Sequence, residues 1–211
     1  MALSPLQAHV ARLFFGLPES AGFALAGGSA LLAQRLVDRT TKDLDLFGTD
    51  RRTIHEAAKA LMAALVHEGV QCDRVFEHPT FVRLRVTRGD DATDVDVSYD
   101  WQWRTSVATD VGPARSSEEL GVDKLLALFG RAAPRDYVDV FVLSKEHGID
   151  QLLEWAPEKD AGFSPYFLAE GLGHMVRLDR ELFEVSDADY AEMVEFYAAL
   201  RAELIRRTVG G

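Results

Sequence analysis

Several features that would assign this chain to other protein classes are scarce or missing. Cys72 is the single cysteine in 211 residues, which excludes an internal disulfide framework and favours a reducing compartment. The six histidines are scattered without cysteine partners, so the sequence does not predict a structural zinc site. No apolar run approaches the length of a membrane span, and there is no cleavable signal peptide. We therefore expect a cytoplasmic protein with no membrane partner.

Basic charge is also in short supply. The formal net charge is −11, and only five of the 23 basic residues are lysines. This balance argues against broad coating of nucleic acid, and we expect no DNA partner. It leaves room for RNA in a local groove, because arginine binds phosphate in a bidentate manner. The P-loop, the dinucleotide-binding GxGxxG and the Gly-x-Ser-x-Gly elbow are missing, which argues against three common enzyme classes.

The most informative stretch is FALAGGSALLAQRLVDRTTKDLDLF, residues 23–47. Its pattern predicts a short apolar strand, a Gly-Gly turn, a helix, a polar loop and a second strand. Gly27 and Gly28 allow a tight turn and a close approach to a ligand. Ser29 occupies the expected N-cap of the helix. Amide groups exposed at such a turn suit an anion such as phosphate.

The second strand of this stretch carries two carboxylates. Leu44 and Leu46 alternate with Asp43 and Asp45, which is typical of a half-buried strand. The two aspartates therefore share one face, about 6–7 Å apart along the strand. Beside a phosphate-sized turn, they suit a divalent metal that holds a triphosphate, because Mg²⁺ uses a few carboxylates plus substrate phosphates. The competing interpretation is an ordinary solvated strand face.

These residues resemble the nucleotidyltransferase fold of DNA-polymerase-β type, and more narrowly the AbiEii group of bacterial toxins, which includes the mycobacterial MenT toxins. The shared motifs are the Gly-Gly-Ser-Ala turn at residues 27–30 and the Arg-x-Thr-x-Asp-Leu-Asp-Leu-Phe segment at residues 39–47. The resemblance implies an α+β fold. Its mixed, polymerase-β-like sheet would carry flanking helices and be followed by a C-terminal helical domain that completes the active-site cleft.

The domain boundary is expected near residue 115. Residues 100–116 lack clear periodicity and contain tryptophans, a glycine and a proline, which indicates an irregular connector. We expect a nucleotidyltransferase core domain at 1–115 and a helical domain at 116–211. The core domain should add helices and strands at 4–17, 51–68, 71–77, 81–87 and 93–99. The second domain should hold helices at 117–130, 134–147, 149–155, 164–176 and 186–207.

The predicted hairpin at residues 81–99 offers a third carboxylate. Asp94 and Asp96 share one face of its second strand. Polymerase-β-type enzymes take a third acid from a strand beside the first two, and by this resemblance Asp96 fits best, with Asp94 as the alternative. On the other hairpin strand, Arg83 and Arg85 also share a face. Together with Arg88 they form either a groove for an RNA backbone or a set of solvated charges.

Residues 122–143 form the third informative segment. On the first helix, the expected buried stripe consists of Val122, Leu125, Leu126 and Phe129, and Lys124 lies roughly opposite. The next helix is apolar almost all round, so it should be buried.

Two carboxylates share a face of that second helix. Asp136 and Asp139 are three residues apart, and buried carboxylates need cations, for which Lys124 and Arg135 are the candidates. Similar AbiEii segments imply that Lys124 contacts a nucleotide phosphate. They also imply that Asp139 is a further catalytic acid, with Asp136 as its nucleotide-binding alternate. A purely structural Lys–Asp pair is the other interpretation.

The resemblance also implies a mechanism. One or two Mg²⁺ ions would be held by Asp43, Asp45 and Asp96, with an NTP as co-substrate. Gly28 and Ser29 would hold its β- and γ-phosphates, and Arg39 would hold the loop or contact phosphate.

The acceptor implied by the resemblance is the 3′ end of tRNA, whose modification blocks translation, and a cognate antitoxin is the implied protein partner. Three alternatives stay open. One is a nucleotidyltransferase that acts on a small molecule such as an aminoglycoside. Another is a non-catalytic module that binds an antitoxin or RNA. The third is a purely structural helical protein with an incidental DxD motif.

Thr41 is a candidate regulatory site. It precedes Asp43 by two residues, so its side chain would lie near the metal acids if the strand extends that far back. MenT-like toxins carry Ser or Thr at this position, and kinase-like antitoxins of that group can phosphorylate it. The resemblance therefore implies phosphorylation of Thr41 as an off-switch. The alternative is a loop hydroxyl that caps a backbone group.

Overall fold

The computed structural model describes residues 2–209, with the side chains of residues 208 and 209 left aside. The chain divides into two compact units, Met1–Leu120 and Gly121–Gly211. Within the described residues, no helix combines the length and the apolarity that crossing a membrane requires.

The first unit is built on a seven-stranded sheet. Its strands, in chain order, are β1 (Phe23–Ala26), β2 (Asp43–Gly48), β3 (Gln71–His78), β4 (Phe81–Arg88), β5 (Asp91–Tyr99), β6 (Val107–Thr109) and β7 (Gly112–Ala114). Across the sheet the order is β3-β4-β5-β2-β1-β7-β6. The β2–β5 and β1–β7 pairs are parallel and the others are antiparallel, so the predicted mixed α+β sheet is confirmed.

The helices of the first unit are α1 (Pro5–Phe15), α2 (Gly27–Ala33) and α3 (Ile54–His67). A capping box starts α1, because the Ser4 hydroxyl accepts from the Gln7 amide while the Gln7 side chain accepts from the Ser4 amide. α3 packs against one face of β3, β4 and β5, and α1 packs against α3, β5 and β7. That face is lined by fully buried aliphatic residues: Leu44, Leu46, Val82, Leu84, Val86, Val95 and Val97.

The opposite face of β3, β4, β5 and β2 carries polar residues, and we call it the acid face. Strict alternation along the strands explains the division, since successive side chains point to opposite sides. In β2, Leu44 and Leu46 are buried while Asp43 and Asp45 are half-buried on the other side. The three neighbouring strands β4, β5 and β2 all follow this alternation. Because their apolar side chains are buried in the core on one face, their polar side chains line the acid face.

The segment predicted to be an irregular connector contains two short strands. β7 lies parallel to β1, with Ala114 opposite Leu25, and the Arg115 amide donates to the Leu25 carbonyl at 2.9 Å. β6 then pairs with β7 in an antiparallel hairpin. Strands of three residues are too short to show a period of two, so these two are recognised by their pairing, β7 with β1 and β6 with β7.

The helices of the second unit are α5 (Pro134–His147), α6 (Ile149–Lys159), α7 (Pro165–Leu172) and α8 (Asp187–Val209), while α4 (Ser117–Gly130) begins in the first unit. α6 runs past the predicted end at residue 155, and α7 ends before the predicted residue 176. Tyr137 and Tyr197 meet edge to face with ring centroids 5.2 Å apart, and the Tyr197 hydroxyl donates to the Tyr137 carbonyl at 2.6 Å. Burial raises the pKa of Tyr137 to about 12.

Candidate active site

Three carboxylates come together on the acid face. In the parallel β2–β5 pair, Asp43 lies opposite Asp94 and Asp45 lies opposite Asp96. One carboxylate oxygen from each of Asp43, Asp45 and Asp96 lies within 4.8 Å of the others, and we call these three residues the acid cluster. Asp43 and Asp45 are half-buried and Asp96 is buried. Such a set of hard oxygen donors suits a divalent cation.

Two acids on β5, Asp94 and Asp96, are each paired with an arginine on β4. The Arg83 guanidinium donates to both oxygens of Asp96, at 2.7 and 2.6 Å. The hydrogen bond with Asp96, followed by the charges of Asp96, Asp94 and Asp43, raises the pKa of Arg83 above its usual value. Arg85 pairs with Asp94 in the same way. The two guanidiniums therefore compensate the acids of β5 across the hairpin, rather than standing free in solvent.

The Gly-Gly turn lies directly against the acid cluster. Gly27 has a φ of +52°, and a Cβ there would lie 2.2 Å from the Asp45 carboxylate oxygen. A Cβ on Gly28 would lie 2.9 Å from the Thr41 hydroxyl and 3.3 Å from the Arg39 guanidinium. Both positions thus require glycine, one for its backbone conformation and both for space. The turn is held close enough to the acids for a ligand to contact both.

Ser29 has a different place from the one predicted. α2 begins at Gly27 and its N-cap is Ala26, so Ser29 lies inside the helix and the N-cap prediction was wrong. Its side chain is wholly buried: the hydroxyl donates to the Ala26 carbonyl at 2.8 Å and accepts from the Asp45 amide at 3.2 Å. This hydroxyl ties the turn to the acid-bearing strand.

Thr41 and Arg39 lie in the loop that enters β2. The strand begins at Asp43, so it does not extend back to Thr41. The Thr41 hydroxyl nevertheless donates to the Asp43 carboxylate at 3.0 Å. The side-chain amide of Gln7 donates to the Thr41 carbonyl at 3.1 Å. The Arg39 guanidinium donates to the Thr40 carbonyl at 2.9 Å. The loop thus presents a hydroxyl at one acid and a guanidinium over the Gly28 turn.

A cavity of about 430 Å³ opens beside this loop. Its lining consists of Ser4, Gln7, Thr41, Lys42, Arg85, Ala92, Thr93 and Asp94. It shares Thr41 with the surroundings of the acid cluster but includes none of the three clustered acids. Asp94, the alternative third acid, therefore faces this cavity and Arg85.

The predicted site residues of the second unit form two ion pairs. The Lys124 ammonium lies 2.8 Å from an oxygen of Asp139, and both side chains are buried. Asp136 is buried as well, and it accepts two hydrogen bonds of 2.8 Å from Arg131. Lys124 and Arg135 were the predicted cation partners of these two acids. The prediction is correct for Asp139, which pairs with Lys124, and wrong for Asp136, which pairs with Arg131.

The burial of α4 also differs from the prediction. Val122 and Leu125 are buried as expected, but Leu126 and Phe129 are only half-buried, while Leu128 is buried. Lys124, expected on the side opposite the stripe, is buried through its contact with Asp139. This burial agrees with the predicted pairing of Lys124 with a buried carboxylate, although the apolar pattern of the helix by itself does not indicate it.

The sequence analysis missed the three arginine partners, although a signal was present for two of them. In the hairpin, Arg83 is opposite Asp96 and Arg85 is opposite Asp94, a register that follows from the Gly89–Asp90 turn. For Arg131 no such signal exists, because its approach to Asp136 depends on the α4–α5 turn, where Ala132 has a φ of +49°.

Comparison with known proteins gives a family match and similar solved structures. The family model described as Nucleotidyl transferase AbiEii toxin, Type IV toxin–antitoxin system, matches residues 12–204. Among solved structures, the chain is similar to JHP933 from Helicobacter pylori, with a TM-score of 0.60 and 16% identity over 99% of this chain and 97% of that one.

It is also similar to MenT4, a nucleotidyltransferase toxin from Mycobacterium tuberculosis, with a TM-score of 0.61 and 16% identity over 93% of this chain and 82% of that one. No curated protein matches significantly. At such identities the solved structures establish the fold, and the family model carries the assignment. The chain belongs to the AbiEii family of nucleotidyltransferase toxins from toxin–antitoxin systems.

Proposed function

We propose that this protein is an Mg²⁺-dependent toxin that transfers nucleotides from an NTP to the 3′ end of tRNA in the cytoplasm. The extended 3′ end would no longer accept an amino acid, so translation would stop until a cognate antitoxin intervenes. The observation that carries the proposal is the acid cluster of Asp43, Asp45 and Asp96, placed against the Gly27–Gly28 turn in a chain of the AbiEii family.

The residues present fit a divalent metal ion. Three carboxylate oxygens within 4.8 Å of one another form a donor set of the hard type that Mg²⁺ requires. When bound, Mg²⁺ would offset the charge of the triphosphate and of the leaving pyrophosphate. Asp43, Asp45 and Asp96 would hold it.

Two other residues prepare the acid cluster. Arg83 fixes both oxygens of Asp96 and so sets the orientation of that carboxylate. The Ser29 hydroxyl accepts from the Asp45 amide, which keeps β2 in register with the turn. We assign to these groups the positioning of the acids, and to Asp96 the orientation of the attacking 3′-hydroxyl.

For the triphosphate we propose the Gly28 turn and Arg39. The space above Gly28 is bounded by the Arg39 guanidinium and the Thr41 hydroxyl, so backbone amides and a cation lie together. The Ser29 amide belongs to the same turn, while its hydroxyl is engaged with Ala26 and Asp45. A guanidinium beside amide donors is an arrangement that stabilises phosphate oxygens.

In the second unit, we propose Lys124 as a nucleotide-phosphate contact that Asp139 holds in place. Its ammonium is a compact charge suited to phosphate, and its carboxylate partner is wholly buried. Asp139 thereby acts as the further acid of the catalytic region. Asp136, which is fixed by Arg131, remains the alternate nucleotide-binding residue. The competing role for all three is structural pairing of helices.

The proposal is tested by an acceptor screen. The purified protein is incubated with Mg²⁺, each α-labelled NTP in turn, and either total tRNA or a panel of aminoglycosides. We expect label in tRNA that depends on Mg²⁺ and is lost in Asp43→Asn. Asp90→Asn, an exposed acid in the β4–β5 turn, is the matched control and should keep full activity. Label in an aminoglycoside alone would replace the tRNA proposal, and label in neither would point to a binding module.

A further inference from the structure

A pair of aromatic side chains, one exposed and one half-buried, lies on the acid face beside Arg83. Phe76 on β3 is 57% exposed, which is unusual for so large an apolar side chain. Its ring lies 5.8 Å from that of Phe81 on β4, and the two planes are tilted by 58°. The Arg83 guanidinium carbon lies 5.6 Å from the centre of the Phe81 ring. These three side chains are called the aromatic platform below.

The strand register places the platform in line with the acid cluster. Phe76 is opposite Arg83, Arg83 is opposite Asp96, and Asp96 is opposite Asp45. Residues directly opposite one another share a face of the sheet. Strands are spaced by about 4.8 Å, so Phe76 lies about 10 Å from Asp96 and about 15 Å from Asp45 across the sheet. This span matches a short run of nucleotides rather than a single small molecule.

The edge of the sheet at β3 does not offer a regular template for another strand. The β3–β4 register shifts between Arg74 and Phe76, which marks a bulge at the middle of the edge strand. Bulges twist an edge and interrupt the row of backbone groups that a partner strand would need. The backbone of β3 is therefore a poor template for a strand of a protein partner, whereas the exposed ring of Phe76 is suited to stacking.

We infer that the aromatic platform binds an unpaired base of the RNA acceptor, close to the 3′ end whose hydroxyl reaches the acid cluster. Unpaired bases stack on aromatic rings and on guanidinium planes, and such stacking tolerates any base because every base has a π-face. Arg83 then has two contacts, one with Asp96 and one with the Phe81 ring. This inference rests on the proposed function, since it names where the acceptor of that reaction lies.

The first test measures binding without catalysis. An oligoribonucleotide with an unpaired 3′ segment that carries 2-aminopurine is titrated with protein in Mg²⁺ and without NTP. Stacking on the platform should quench its fluorescence. Phe76→Leu keeps the apolar character but loses the ring, and we expect about tenfold weaker binding with little quenching, within the range of one lost stack. Phe76→Tyr should bind as the wild type does.

A matched control uses another exposed apolar residue. Val66 on α3 is 61% exposed and lies on a helix that packs against the other face of the sheet. Val66→Ala should leave binding and quenching unchanged. In the transfer assay, Phe76→Leu should raise the KM for the acceptor about tenfold while the KM for the NTP stays constant.

The outcomes separate the platform from the proposed function. If the wild type labels tRNA and Phe76→Leu has the same acceptor KM and quenching, the platform is overturned and the proposed function stands. If Phe76→Leu instead loses only its binding to the antitoxin, the surface is a protein interface and the inference is wrong. If the wild type neither binds the oligoribonucleotide nor labels any RNA, both the platform and the RNA acceptor are rejected.

Discussion

The acid face of the first unit and the second unit, which we call the helical unit, both contain a basic side chain paired with an aspartate. The two pairs differ in burial. In the Arg83–Asp96 pair the arginine side chain is 41% exposed and the aspartate 8%. In the Lys124–Asp139 pair the values are 7% and 0%. A half-exposed cation is stabilised by water when its partner is taken away, whereas a buried charge is not. The first pair can therefore exchange partners at modest cost, and the second resists any change.

The largest effect is expected from breaking the acid cluster itself. Asp43→Asn keeps the size of the side chain, removes a negative charge, and should lower nucleotide transfer on the order of a thousandfold. The fold should persist because Asp43 is half-buried on a polar face. Activity and circular dichroism on the same sample check both statements. A folded Asp43→Asn protein with full activity would remove this cluster from the reaction.

A second way to disrupt the acid cluster is to add negative charge beside it. The Thr41 hydroxyl lies 3.0 Å from the Asp43 carboxylate, so a phosphate there would add about −1.5 to −2 charge beside the cluster. Thr41→Glu should reduce transfer about a hundredfold, within the range seen when groups around metal ligands are disturbed. Thr41→Val should stay active.

The control for this prediction concerns the antitoxin. Intact-mass analysis after co-expression with the cognate antitoxin should show one added phosphate on the wild type and none on Thr41→Val. A toxin that is neutralised without modification at Thr41 would reject phosphorylation as the means of control.

In the helical unit the larger effect should be on stability. Lys124→Met leaves Asp139 buried without its cation, which costs about 3–5 kcal/mol of unfolding free energy. Combining Lys124→Met with Asp139→Leu should restore most of that loss, because a well-packed apolar pair replaces a buried ion pair at little cost. Denaturant unfolding of both variants measures this recovery.

The same double variant separates the two roles of Lys124. If Lys124 contacts a nucleotide phosphate, the restored fold should still bind NTP poorly. A double variant that is both stable and fully active would leave Lys124 with a structural role alone.

The smallest effect concerns the exchangeable pair. Arg83→Gln removes the cation that positions both oxygens of Asp96, so binding of Mn²⁺ as a probe ion should weaken about threefold, the scale of a partly exposed ion pair. Arg85→Gln, whose partner is Asp94, is the matched control and should change ion affinity less. Paramagnetic resonance of free Mn²⁺ gives both affinities. Tighter binding in Arg83→Gln would mean that this arginine competes with the ion for Asp96 and does not position it.

The comparison of the acid face with the helical unit also explains which features could be predicted from the sequence. Period-two alternation identified β2, β4 and β5 and placed Asp43 with Asp45 and Asp94 with Asp96, because a strand leaves each side chain only two directions. The choice of Asp96 as the third acid came from the family resemblance. β6 and β7 were not predicted, because β7 pairs with the distant strand β1 and β6 pairs with β7. The local sequence of a strand therefore determines which polar side chains it places on a face of the sheet.

Helical segments were less transparent. A helix offers a continuous range of directions, so the spacing did not reveal that Leu126 and Phe129 are only half-buried, with the Phe129 ring packed against Phe163. Ser29 was misplaced by one turn because a serine after two glycines suits a cap and an interior hydrogen bond to Ala26 equally well. In each case the missing information was a tertiary contact.

The central claim is most directly tested at the end of the acceptor itself. Total tRNA is incubated with the protein, Mg²⁺ and unlabelled NTPs, and the masses of the 3′-terminal fragments are measured. The account predicts fragments extended by whole nucleotides, lost in EDTA, lost in Asp43→Asn, and lost when periodate has destroyed the 3′-terminal diol beforehand. Unextended 3′ ends in a sample whose protein transfers nucleotides to another acceptor would contradict it.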